Sequence, residues 1–201
     1  MNSKRLFALA CAAAFAAVAS TPAAAHVGIG SVHGFANGLH HPLSGIDHML
    51  AMFAVGMFAA NLGGRALWLV PASFVAMMAV GGALGIAHVA LPYVEIGIAA
   101  SVIVLGAAVA FRLPLPTIAA MLLVGFFAVF HGHAHGSEMP AEVAGATYAA
   151  GFMVATALLH AIGIGTGLMA RRMGTDTPLH ASRIGGMTMS LAGVALLAGW
   201  I

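Results

Sequence analysis

From residue 43 onward the chain is a succession of apolar runs, broken by glycine, proline and isolated charges, and none alternates apolar with polar residues. Six runs stand out, at 43–62, 66–91, 94–112, 115–131, 141–170 and 182–201. Each is near or above the roughly 20 residues a helix needs to cross a bilayer, and each is apolar on all faces. Strands of a membrane barrel would alternate with period two, which excludes that architecture. The pattern predicts an all-α fold: one polytopic membrane helix bundle with six transmembrane helices, filling residues 26–201.

Residues 1–25 read differently. Lys4 and Arg5 precede the apolar run LFALACAAAFAAVA, and the small-residue stretch STPAAA follows it. That order is expected of a secretory signal peptide cleaved after Ala25, because the run is too short and Ala-rich for a retained span. Cleavage would remove Cys11, the single cysteine, and leave a mature chain starting at His26 without a disulfide or a thiolate ligand.

Composition agrees with the pattern. The chain is 62% hydrophobic and 6% charged, whereas soluble domains are roughly 45–50% apolar and about 25% charged. Its lipid environment is the bilayer. The seven Lys and Arg residues are scattered and form no basic face that could neutralise phosphates, so nucleic acid is not an expected partner. They do fix an orientation. A cleaved signal leaves His26 outside, and Arg65, Arg112, Arg171, Arg172 and Arg183 then all fall in loops on the cytoplasmic side. Both termini of the mature chain are therefore expected on the outer, periplasmic side of a bacterial-type inner membrane.

The histidines partition the other way. His26, His33, His40, His41 and His48 precede or begin the first span, His88 closes the second, and His131, His133 and His135 follow the fourth. Asp47, Glu95, Glu138 and Glu142 also fall at outer helix ends. The predicted outer rim thus gathers potential metal ligands and no competing cation.

Two stretches concentrate these groups. In HHPLSGIDH, residues 40–48, Pro42 suits a first helical turn, so the first span is expected to start there, with His41 in the approaching loop. Asp47 and His48 then lie inside the membrane, where an ionisable group is a functional candidate by default. Two imidazoles with a carboxylate suit a borderline transition-metal dication better than magnesium or calcium. In FHGHAHGSE, residues 130–138, Gly132 and Gly136 are expected to let the backbone leave helical geometry, so that His131, His133, His135 and Glu138 converge. Helix C-termini favour a cation there.

Other groups are weaker candidates. Met49, Met52 and Met57 read as packing filler, His88 as a hydrogen-bonded interior histidine, and the spacing of Gly81/Gly85 and Gly163/Gly167 as helix packing. His160, deep in the fifth span, reads as readily as a pathway residue as an interior one. Glu95 adds a carboxylate at the outer side, His40 an outer contact, and His26 a chelating terminus once its amine is free.

The two motifs together resemble the HupE/UreJ family of nickel/cobalt permeases, hydrogenase and urease accessory proteins. The resemblance covers essentially the whole chain and rests on His41, Asp47 and His48, then on Phe130, His131, Gly132, His135, Gly136 and Glu138. His133 stands at a variable position of the motif. The resemblance implies uptake of Ni(II) or Co(II) as cargo for metalloenzymes, with no prosthetic group and no catalytic residue. No ATP-binding motif is present, so a secondary carrier or facilitator is expected. The competing class is a membrane metalloenzyme with an outward-facing His/carboxylate site; repeated histidine boxes on the cytoplasmic face would support it and are absent. A serine protease using Ser44 would need a nucleophile turn that the sequence lacks. Oligomeric state stays open, a homo-oligomer included.

Overall fold

The computed structural model describes residues 31–139, 145–172 and 177–201. The expected signal peptide, His26 and Glu142 lie outside the described residues. Seven α-helices and no strand are found among those described: α1 Ser31–Ser44, α2 Ile46–Leu62, α3 Ala66–Ile86, α4 Val94–Ala110, α5 Thr117–Ser137, α6 Gly145–Arg172 and α7 Thr177–Leu197. Each of the six apolar runs carries a helix over its described residues, and the protein is an all-α integral membrane protein. Three helices, α3, α5 and α6, are long and apolar enough to cross a bilayer on their own. The pair α1 and α2, bent by 84°, forms a fourth candidate, while α4 and the stretch Ser182–Leu197 are apolar but shorter.

Two local expectations are corrected. The helix before the break starts well upstream of Pro42, which lies within α1, and His41 occupies the last turn of that helix instead of a loop. The break falls at Gly45, whose extended backbone (φ −99°, ψ 119°) separates α1 from α2. Ser44 then turns its hydroxyl back to the carbonyl of His41 at 2.6 Å, satisfying one of the acceptors a helix end leaves bare. The second correction concerns FHGHAHGSE: α5 continues through it to Ser137. Its glycines serve close approach, not unwinding. A Cβ on Gly132 would collide with the carbonyl oxygen of Met78, and one on Gly136 with that of Gly82.

That contact belongs to the most extensive helix pairing, α3 with α5. From the α3 side, Gly81 lies flush on the backbone of Val129 and Gly85 on those of His133 and Gly136. Lipid supplies no hydrophobic drive between helices, so small residues that bring backbones together hold the bundle. The same device joins α2 to α6, where Gly56 and Gly163 face each other and Gly167 meets Ala60. It also joins α1 to α6 through Gly38 and Gly151. The packing role expected for Gly81/Gly85 and Gly163/Gly167 is what the structure contains.

Helix α2 is central and touches every other described helix. Its run from Ala54 to Ala60 is buried throughout, and Met52, Val55 and Phe58 build the core with Phe74, Met78, Leu105, Val109 and Val124. Met52 and Met57 are thus core side chains. Largely exposed aromatics cluster at helix ends, Trp68 and Tyr93 at starts, Phe111 and Trp200 just past ends, as aromatic rings do at membrane–water interfaces. His88 departs from its expected interior position. It is exposed, with φ 54°, and terminates α3: its N–H bonds to Gly85 and that of Val89 to Leu84, a left-handed cap that glycine usually provides.

Replacing Gly81 by valine should wedge α3 away from α5, because the new side chain meets backbone that cannot rotate aside. Overpacking of this kind costs about 1–3 kcal/mol or more. The expected result is a lower midpoint of thermal unfolding in detergent and less protein in the membrane; a wild-type melting curve would contradict the flush packing.

Candidate metal site

The break at Gly45 creates the site. Asp47 and His48 occupy the first turn of α2, and Asp47 Oδ1 accepts from the His48 backbone N–H at 2.7 Å and from the His48 ring Nδ1 at 2.8 Å. A Cβ at position 45 would lie 2.6 Å from that carboxylate oxygen and 3.2 Å from the ring nitrogen. Glycine leaves the pair the space over the break. With Nδ1 donating to Asp47, the Nε2 of His48 keeps its lone pair, and that atom is buried without a partner. The carboxylate also offsets the positive end of α2.

Helix α5 contributes the facing wall. His131 and His135, four residues apart, project from one face, and both are buried. The rings form a chain: His41 to His135 at 4.7 Å between centroids, His135 to His48 at 4.2 Å, and His48 to His131 at 4.7 Å. At the exposed end His41 Nε2 lies 3.1 Å from Glu138 Oε2. Accessibility falls inward along this chain, from a Glu138 side chain 56% exposed and His41 31% exposed to His131 at 0%.

His41, Asp47, His48, His135 and Glu138 border a cleft of about 210 Å³, lined also by Glu95 and Ile98 of α4, while His131 lies against His48 without lining it. Two helix C-termini, of α1 and α5, and two N-termini, of α2 and α4, meet around it. The C-termini present carbonyls to a cation, while Asp47 and Glu95, in the first turns of α2 and α4, neutralise the ends that would repel one. No Lys or Arg lines the cleft. One ligand atom each from His41, His135 and Glu138 can be placed within 4.8 Å of one another, a separation that a single ion can bridge.

Two contributors carry no sequence motif. Ser101 of α4 places its Oγ 2.6 Å from the carbonyl of Ile98 and 2.8 Å from His131 Nε2. A carbonyl only accepts, so the hydroxyl proton goes to Ile98, and Oγ must accept from an Nε2–H of His131. His131 Nδ1 is thereby left with its lone pair, and it is buried and unpartnered. A lone hydroxyl in the otherwise apolar run IAASVIVLG was the available signal. Phe74 of α3 is the second, its ring 5.7 Å from that of His131; nothing in sequence separates it from other core aromatics.

The structure brings together His41, Asp47, His48, His131, His135 and Glu138, with Glu95 on the same cleft. It does not bring in the rest. His133 points to α3, donating from Nε2 to the carbonyl of Val89 at 2.8 Å, so it ties down the end of α3. His40 is exposed and does not line the cleft. His160 lies deeper, against Phe74 at 5.1 Å between ring centroids.

Fold and site define a helical membrane protein with a nitrogen- and carboxylate-lined cleft suited to a transition-metal dication. The chain belongs to the HupE/UreJ family: the family model described as HupE / UreJ protein matches residues 13–196. A curated relative, Protein HupE of Rhizobium leguminosarum bv. viciae, is 50% identical over 175 residues, spanning 87% of this chain and 90% of the relative. No solved structure matches. The membership that the two motifs imply is thereby established.

Removing the acceptor at Ser101 should leave the His131 tautomer unspecified. Partners of ligating histidines typically contribute about 10–100-fold to metal affinity, so Ser101→Ala is expected to weaken Ni(II) binding by at least about tenfold in calorimetric titration of purified protein. Wild-type affinity in that variant would show that the hydrogen bond does not set the ligand atom.

Proposed function

We propose that the protein is a permease that takes up Ni(II), or Co(II), through the inner membrane to supply metalloenzymes such as hydrogenase or urease. The observation that carries this reading is the gathering of unpartnered imidazole nitrogens: those of His48 and His135 on one carboxylate-lined cleft, and that of His131 in ring contact with His48. Idle buried polar atoms are rare in folded proteins unless something binds them. Imidazole and carboxylate are the donors a borderline dication accepts. Family membership supports the same reading.

The cation is first met by Glu138, Glu95 and His41, then exchanges water for His135 and His48, and reaches His131 at the closed end. Asp47 acts mainly by orienting His48 and by offsetting the ion's charge. The cleft faces the periplasm if the six helical runs all cross, because each Arg after residue 25 then lies in a cytoplasmic loop; a cleaved signal peptide ending at Ala25 gives the same orientation. Binding has to stay moderate, since the ion must also leave.

Asp47→Asn keeps an oxygen near His48 but removes the charge. Uptake of radioactive nickel into vesicles containing only this protein is expected to fall by about 10–100-fold, with unchanged protein in the membrane; undiminished uptake would remove Asp47 from the site. Acid acts through the histidines. A protonated imidazole has no lone pair, and histidine titrates near pH ~6.5 when unperturbed. Uptake should therefore decline as the pH falls below about 6.5, and uptake that acid leaves unaltered wherever the protein stays folded would exclude histidine capture.

A further inference from the structure

Among the described residues, one buried histidine is used neither by the cleft nor by the ring chain that leads from it. His160 of α6 is 2% exposed, and neither ring nitrogen has a hydrogen-bond partner. Packing alone does not call for imidazole here, because an aliphatic side chain would fill the space without stranding two polar atoms.

Its surroundings connect it to the cleft. Phe152, Thr156 and His160 follow one another at four-residue steps along α6, on one face, each about 6 Å further along the axis. Phe152 packs at a tilt against His135, with ring centroids 4.0 Å apart, so the series starts at the cleft and leads away from it. Thr156 donates to the thioether of Met78 at 3.6 Å, one turn along α3 from Phe74. Phe74 in turn lies edge-on to His160 and at a tilt beside His131. The Phe74 ring thus neighbours both a histidine with an unpartnered Nδ1 and one with both nitrogens unpartnered.

We propose that His160 is an inner cation site: a weak nitrogen-donor stop for a partly dehydrated divalent transition-metal ion, reached after His131. The inference rests on the permease reading and extends its path. The step is a ligand exchange without electron transfer, in which the ion gives up His131 Nδ1 and takes a His160 nitrogen. Thr156 and Met78 offer an oxygen and a soft sulfur donor one turn nearer the cleft. A single nitrogen ligand is appropriate for a station the ion must leave.

The test compares His160→Leu with the wild-type protein in two measurements: nickel uptake into vesicles containing only this protein, and equilibrium nickel binding to purified protein. The expected result is uptake lowered at least tenfold while the outer cleft binds nickel within twofold of wild type. Unchanged uptake in the variant overturns the inner site and leaves the permease reading standing. Loss of uptake and outer binding together assigns His160 to packing and also overturns it. Absence of uptake by the wild-type protein overturns the permease reading, and the inner site with it. Should the leucine variant not accumulate, anomalous scattering at the nickel edge from wild-type crystals grown with nickel chloride decides. A peak within bonding distance of a His160 nitrogen supports the site, and its absence beside a filled outer cleft overturns it.

Discussion

The hydrogen bonds from His48 to Asp47 are the constraint on which the cleft depends. They tie a carboxylate to the first turn of the central helix, fix which nitrogen of His48 remains free, and require a residue without a side chain at position 45. Because Gly45 also ends the α1–α2 continuity, one position sets the bend, the helix polarity at the site and the ligand tautomer. A broken helix is tolerated at this depth only where its free backbone groups are buried in protein or line a polar cavity. The cleft is that cavity.

Opposite this pair, the Ser101 contact performs the matching task for His131. Ser101 and Asp47 use different chemistry, a hydroxyl whose proton is already spent and a carboxylate that has none, and both compel the neighbouring imidazole to donate. The unsatisfied atoms of His48 and His131 are therefore not packing faults: each is the nitrogen left over after the other nitrogen of its ring has been assigned. The donor set that results, imidazoles backed by acids, is of the kind that suits a transition-metal dication.

Much of this was legible in the sequence. The apolar runs located α2 to α7, and the motif residues His41, Asp47, His48, His131, His135 and Glu138 meet in space. Helix α1 escaped because it is short and polar, and because Pro42 reads as a beginning when it stands near an end. FHGHAHGS read as a loop because glycine is ambiguous: it permits irregular backbone and it permits contact between regular backbones, and only the presence of α3 decides. Ser101 and the diversion of His133 to Val89 are tertiary facts, set by which side chains the packing places at hydrogen-bond distance.

The flush seam between α3 and α5 limits how this sequence can drift. Where two backbones touch, a substitution has no rotamer with which to absorb itself, so any change at positions 81, 85, 132 or 136 alters the separation of the helices and displaces His131 and His135 together. Scaffold and ligand geometry are mutationally coupled there. Neutral variation is left to the outward faces, at exposed positions such as Ile118, Leu122 and Phe126, where lipid accepts almost any apolar side chain.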